Sequence, residues 1–142
     1  MSFSEFGKVN YISESKVAEF VKYLKKGKIM ATKCDRCGRL YFPPRADCPN
    51  DLTTNMKWEE LSGRCRLLTY TTAHFGPTGF EDDVPYTIAL AECEEGVRVY
   101  ALLSKSISEK AVRIGMNLRL APLSLPNGRI TYELKKDPDP KG

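Results

Sequence analysis

The chain has 142 residues, of which 42% are hydrophobic and 28% charged, with a formal net charge of +4. That is enough for one ordinary domain, or two small ones sharing a core, and it lacks the run of about 18 apolar residues that a membrane-spanning helix needs. The beginning of the chain carries no compact apolar segment with a small-residue cleavage site, so the expected location is cytoplasmic, and the mild basicity tolerates an anionic partner without demanding one.

Residues 1–28 are expected to form an N-terminal arm and a helix. Phe3, Phe6 and Tyr11 show no periodicity and suggest an irregular arm that packs its aromatics. Ser13 has the short oxygen-bearing side chain of an N-cap. Val17, Phe20, Val21 and Leu24 then recur at the spacing of one helical stripe. Lys22, Lys25 and Lys26 gather at its last turn, where cations suit the helix dipole, and Gly27 is the expected stop.

Residues 29–56 hold the most specific pattern. Cys34 and Cys37 stand three apart, and Cys48 and Asp51 repeat that spacing. Two side chains at i and i+3 in a tight turn face one side of a metal, and zinc takes four such ligands in a tetrahedron. Gly38 lets the first turn close, and Pro49 stiffens the second. The expected ligand set for a structural Zn²⁺ is Cys34, Cys37, Cys48 and Asp51. Asp47, His74 or Cys65 are alternative fourth ligands, and a metal-free loop with three buried cysteines is a further alternative. Three thiolates and one carboxylate around Zn²⁺ leave a charge of about −2, which Lys33, Arg36, Arg39 and Arg45 are placed to offset. Nothing resembling a catalytic zinc motif surrounds the cluster.

Residues 57–135 read as strands: 64–75, 86–94, 97–104, 117–123 and 129–135. Glu94-Glu95-Gly96 and Pro126-Asn127-Gly128 mark hairpins. Residues 106–115 show helical spacing through Ile107, Ala111 and Ile114, closing on Gly115. The order β-β-β-α-β-β is that of a five-stranded OB-fold barrel, so the fold class is mainly β with an N-terminal helix. Residues 136–142 are charged and proline-bearing and are expected to be a flexible tail.

Little else carries chemistry. His74 is the single histidine and has no Gly-x-Ser-x-Gly elbow to partner it. Cys65 and Cys93 sit within strand patterns as small buried residues. No phosphate-gripping loop is present, so the residues point to a binding or assembly module and not to an enzyme. The segment 76–85 is long for a hairpin loop, with Phe80 as the apolar tip of a lid or merely part of a connector. Arg64, Arg66, Leu68, Tyr70, Thr72 and His74 alternate along one strand and so predict one basic and aromatic face.

The chain resembles a known family. Lys33-Cys34-Asp35-Arg36-Cys37-Gly38-Arg39-Leu40-Tyr41-Phe42-Pro43-Pro44-Arg45 is similar to the rubredoxin-like zinc ribbon that opens the DUF-thirty-five (DUF35) OB-fold proteins. The barrel half agrees in Leu61-Ser62-Gly63, Tyr70-Thr71, Pro85-Tyr86-Thr87-Ile88-Ala89-Leu90, Glu95-Gly96-Val97-Arg98 and Ile114-Gly115-Met116. Where many relatives carry a second Cys-x-x-Cys, this chain has Cys48-x-x-Asp51.

The resemblance implies a non-catalytic accessory protein that holds acyl-CoA or CoA beside a thiolase or HMG-CoA-synthase-type enzyme. For such a ligand, charge and position lead to the expectation that Arg36, Arg39, Arg64 and Arg66 meet the CoA phosphates, with Phe80 shielding the pantetheine or acyl part. The alternative is a single-stranded nucleic-acid binder, since zinc ribbons and OB barrels serve that role too. Glu92, Glu94, Glu95 and the acidic 81–83 stretch argue against it.

Overall fold

The computed structural model describes residues 5–8 and 16–138. Helix α1 (Glu19–Lys25) comes first. A three-stranded antiparallel sheet follows, built from β1 (Met30–Cys34), β2 (Leu40–Tyr41) and β3 (Met56–Glu60) in the order β2-β1-β3. A second sheet, in the order β6-β5-β4-β7-β8, contains β4 (Arg64–Ala73), β5 (Tyr86–Cys93), β6 (Arg98–Leu102), β7 (Asn117–Ser124) and β8 (Ile130–Lys136). A parallel bridge between Leu103 and Leu134 brings its two edges together, giving a nearly closed barrel of the OB type. The mainly β architecture with a leading helix is therefore the observed one.

Helix α1 buries Phe20, Val21 and Leu24 of the predicted stripe, while Val17, the first residue of that stripe, lies in the turn before the helix and is half-buried. The helix begins with Ala18 at its N-cap and makes no side-chain cap bond there; Ser13 lies outside the described residues. At the other end the Gly27 amide donates to Leu24 O at 2.9 Å and the Lys28 amide to Tyr23 O at 2.9 Å, a Schellman closure. The ring of Phe20 meets Phe42 of the small sheet at 5.8 Å and Tyr132 of the barrel at 6.0 Å. Tyr23 lies against Trp58 of β3 at 5.4 Å. One hydrophobic cluster thus contains residues from the helix, the small sheet and the barrel. The small sheet is too thin to bury its own face and borrows the helix and the barrel wall to do so.

The segment expected to be helical between the third and fourth barrel strands is a single 3₁₀ turn, Glu109–Ala111. Short helices are marginal without packing. Here Val112 is buried and Ile107 half-buried, which is too little apolar surface to hold several turns. Backbone groups just beyond bond to the barrel instead: the Gly115 amide donates to Leu67 O, and the Leu67 amide to Met116 O. Pro126–Gly128 does join β7 to β8, through a 3₁₀ turn and not a two-residue hairpin turn.

The single face predicted for β4 does not exist. Register against β5 shifts between Leu67 and Thr69, leaving Leu68 as the extra residue of a bulge. Arg66 pairs with exposed Glu92, whereas Tyr70 pairs with fully buried Ala89. Arg64 and Arg66 therefore point to the opposite side from Tyr70 and Thr72. Position 136, expected to open a tail, is still strand: Lys136 closes β8, and Asp137 is 7% exposed and accepts from the Arg119 guanidinium at 3.3 Å, while residues 139–142 lie outside the described residues.

Strand β3 spans the expected junction at residues 56 and 57, and every one of its residues pairs with β1. Leu61, Ser62 and Gly63 then lead straight into β4. The approach is close: the Leu120 amide donates to Gly63 O at 2.7 Å, and a Cβ at Gly63 would stand 2.9 Å from Leu120 O. Only glycine fits there, and its φ of 88° is one that glycine adopts without strain.

Candidate metal centre

Two matching turns build the centre. In the first, the Gly38 amide donates to Cys34 O at 3.0 Å, and the Cys37 amide points at Cys34 Sγ at 3.4 Å. In the second, the Leu52 amide donates to Cys48 O at 2.8 Å. Gly38 has φ 76° and Leu52 φ 61°, so the fifth residue of each turn is left-handed. By this correspondence Asp51 takes the place of Cys37, and Leu52 that of Gly38. A leucine in that conformation is uncommon. It is 84% exposed, so its side chain meets no neighbour that would worsen the strain.

The turns face one another. One ligand-capable atom from each of Cys34, Cys37, Cys48 and Asp51 lies within 4.8 Å of all the others. Cys37 Sγ and Cys48 Sγ are 3.6 Å apart, and Cys34 Sγ and Asp51 Oδ2 are 3.2 Å apart. Tetrahedral zinc with bonds of about 2.3 Å to sulfur and 2.1 Å to oxygen separates its ligands by about 3.5–3.8 Å. The donor set and its spacing therefore fit Zn²⁺. Asp47 and His74 are exposed, and Cys65 lies in the barrel core; none of the three belongs to the cluster.

Partners outside the cluster orient it. The Thr53 amide donates to Asp51 Oδ1 at 3.0 Å and holds the Asp51 carboxyl below its usual range, leaving Oδ2 to face the sulfurs. The Tyr41 hydroxyl lies 3.3 Å from Cys48 Sγ, and that bond, with burial, pushes the phenol up to about 12. Burial by itself raises the Cys48 thiol, but bonds from Tyr41, from the Asp51 and Asn50 amides and from Cys37 outweigh it and bring the thiol down to about 7. Burial dominates at Cys34 and pushes its thiol up to about 11, so without a cation this sulfur keeps its proton and donates it to Asp51. A bound Zn²⁺ supplies the charge that turns all three into thiolates.

Sequence reasoning did not find Tyr41 and Thr53. The Asp-x-Thr spacing at Asp51 carries the signal of an Asx turn. Nothing local ties Tyr41 to Cys48, because β-pairing with Thr32 sets its position. Buried Thr32 also anchors the loop between the two turns: its hydroxyl donates to Arg45 O at 2.9 Å and accepts from the Arg45 amide at 2.8 Å.

Arg36 lines a groove of about 480 Å³ beside the first turn, together with Lys33, Asp35, Lys57, Trp58 and Glu59. It is the only one of the five residues expected to contact CoA that does so. Arg39 is exposed and gives its carbonyl to the Cys34 amide at 2.8 Å. Arg64 and Arg66 lie on β4, opposite Arg119 and Asn117 of β7. Phe80 is not a free tip. It is half-buried, with its ring 6.1 Å from Tyr86 and Lys8 Nζ 5.2 Å from its centre. The exposed aromatic of that loop region is Phe75, at 91%.

Comparison with known proteins agrees with this anatomy. Residues 22–56 match the rubredoxin-like zinc ribbon domain of ChsH2, and residues 58–121 its C-terminal OB-fold domain. A DUF35 domain-containing scaffold protein of Methanocaldococcus jannaschii is 34% identical over 115 residues, covering 78% of this chain and 81% of that protein. The benzoylsuccinyl-CoA thiolase subunit BbsA of Geobacter metallireducens is 26% identical, covering 73% of this chain and 71% of the subunit. Among solved structures, a chain of the Ltp2-ChsH2(DUF35) aldolase superposes with a TM-score of 0.75 at 25% identity, covering 89% of this chain and 98% of that one. The ribbon and the barrel behind it match one family over most of the chain, and this chain belongs to it: the DUF35 proteins, a zinc ribbon joined to an OB fold.

Proposed function

We infer that this chain is a non-catalytic scaffold subunit that docks a thiolase or HMG-CoA-synthase-type enzyme and holds acyl-CoA or CoA beside it. The observation that carries the docking half is an apolar outer face on β5 and β6. Tyr100 is 70% exposed and stands opposite Leu90, and Ile88, 37% exposed, stands opposite Leu102. A cluster of exposed apolar side chains on a sheet face is a common mark of a protein contact. Kinship with a thiolase subunit and with a chain of an aldolase complex supports an enzyme as the partner.

The groove beside the metal turn supports the CoA half. Asp35 engages Lys57 at 3.1 Å and Glu59 engages Lys33 at 3.7 Å, which leaves Arg36 as the groove cation for an incoming phosphate. A guanidinium there can bind phosphate through two parallel N–H bonds. Trp58 offers a flat surface in the same groove. In this reading the metal braces one groove wall and takes no part in chemistry.

Titration calorimetry with acetyl-CoA, with and without the partner thiolase, tests the proposal. Binding in the presence of the partner, weakened by Arg36→Ala, is the expected result. Failure of acetyl-CoA to bind under either condition overturns the CoA half. Failure of the two proteins to co-migrate on size exclusion overturns the docking half.

A further inference from the structure

Cys65 of β4 and Cys93 of β5 are directly opposite one another in the barrel sheet. The Glu94 amide donates to Arg64 O at 3.0 Å, which marks the neighbouring pair as the hydrogen-bonded one. Cys65 and Cys93 therefore occupy a non-hydrogen-bonded site, where opposed Cα atoms lie about 4.5 Å apart. A disulfide spans Cα separations of about 4.4–6.8 Å. The two sulfurs already point at each other, 2.6 Å apart, in the buried core. The other three cysteines belong to the metal cluster, so the odd total of five divides into three ligands and one pair.

We propose that Cys65 and Cys93 are a covalent modification site: a cross-strand disulfide, made by exchange with a low-molecular-weight disulfide such as glutathione disulfide. One protein thiolate attacks a sulfur of the co-reactant, giving a mixed disulfide and one released thiolate. The second protein thiolate then attacks the protein sulfur of the mixed disulfide and expels the other half. The two cysteines lose two electrons, the co-reactant becomes two thiols, and the two cysteine protons end on those thiols. The bond closes the base of the long β4–β5 hairpin, beside the Ser62–Gly63 junction with the ribbon.

The surroundings determine when this happens. The Cys93 hydrogen bond, burial and the Glu95 charge all push the Cys65 thiol up. Glu95 Oε2 takes the Ser62 amide at 2.7 Å, while its Oε1 is buried without a hydrogen-bond partner. A buried thiol beside a carboxylate exchanges slowly. The bond is therefore made before the barrel closes, or during its opening, and once made it is shielded from reductant.

The full-length protein would be refolded from urea with Zn²⁺ and a reduced and oxidised glutathione mixture, then alkylated with iodoacetamide and mapped by mass spectrometry. Cys65 and Cys93 should escape alkylation and appear in one linked peptide pair, with the intact mass about 2 Da lower for the two hydrogens lost. A phosphine reductant in urea should reverse the change. The never-unfolded reduced protein should form the same link at least about tenfold more slowly. Cys93→Ala, folded by circular dichroism, should show no mass loss. Complete alkylation of Cys65 and Cys93 after refolding overturns the proposal, as does a link that joins Cys34, Cys37 or Cys48 in its place.

Discussion

The ring of Phe42, from the ribbon, stands edge-on to the ring of Tyr132, from the barrel, with centroids 5.2 Å apart. Phe20 of the helix touches both. Phe42 follows directly after β2, which carries Tyr41, the hydrogen-bond partner of the Cys48 sulfur. The metal turns and the barrel are thus linked through two consecutive residues.

Removal of the metal should therefore lower the stability of the whole chain. Trp58, the single tryptophan, reports on the ribbon, while far-ultraviolet circular dichroism is dominated by the barrel strands. The expected result is one coincident unfolding transition by both probes, shifted to lower temperature by a chelator. Phe20→Ala should cost about 3–5 kcal/mol, as for a buried aromatic, and shift both probes together. Two separated transitions in the native protein would contradict the shared core.

Asp51 is the test of the ligand set. Cobalt(II) substitution gives a thiolate charge-transfer band whose intensity follows the number of sulfurs bound. Asp51→Cys should increase that band over the native protein by about one third, as three sulfurs become four. Asp51→Ala should lose metal affinity by more than the roughly 10–100-fold typical of an outer partner. Undiminished zinc content in Asp51→Ala would remove Asp51 from the set.

Tyr41→Phe removes one hydroxyl and keeps the ring over which the Arg45 guanidinium lies at 6.0 Å. Because the phenol donates to Cys48, zinc affinity should fall by about 10–100-fold with the fold unchanged. Competition with a chromogenic chelator measures this, and an affinity equal to that of the native protein would show the bond to be incidental.

Gly38 and Gly63 both hold left-handed backbone but should respond differently to alanine. At Gly38 a Cβ meets nothing within 4 Å, so Gly38→Ala costs only the conformational penalty of about 1–2 kcal/mol. At Gly63 the same Cβ meets Leu120 O at 2.9 Å, and the overpacking adds about 1–3 kcal/mol more. Urea unfolding of the two variants gives the order, and equal losses would mean that β7 yields at no cost.

Tyr100 projects from β6, an edge strand of the barrel sheet, with 70% of its surface exposed. Tyr100→Glu should leave the unfolding midpoint almost unchanged, as surface substitutions do within about 0.5 kcal/mol. It should weaken capture of the partner enzyme by at least about tenfold, because a charge would be buried against the apolar contact. Unaltered capture would move the docking surface elsewhere on the molecule.

Local chemistry made much of this protein readable from its residues. The i, i+3 spacing of Cys34–Cys37 and Cys48–Asp51 is a property of two short turns, so it survives into three dimensions, as does the Phe20-Val21-Leu24 stripe of the helix. The order of the five barrel strands along the chain likewise follows from spacing and turn residues, while the family rests on the resemblance of whole motifs in the ribbon and the barrel. Contacts between distant segments were not readable in the same way. The bulge at Leu68 turned the basic residues of β4 away from Tyr70, because register depends on what β5 and β7 offer. The 106–115 segment kept only one 3₁₀ turn because Ile107 and Val112 bury too little apolar surface to hold a longer helix, and at its end the Gly115 amide bonds to Leu67 O of the barrel. Tyr41 reached Cys48, and Cys65 met Cys93, through strand pairing alone. Spacing along the chain places side chains within one turn; only the closed sheets decide which turns and strands face one another.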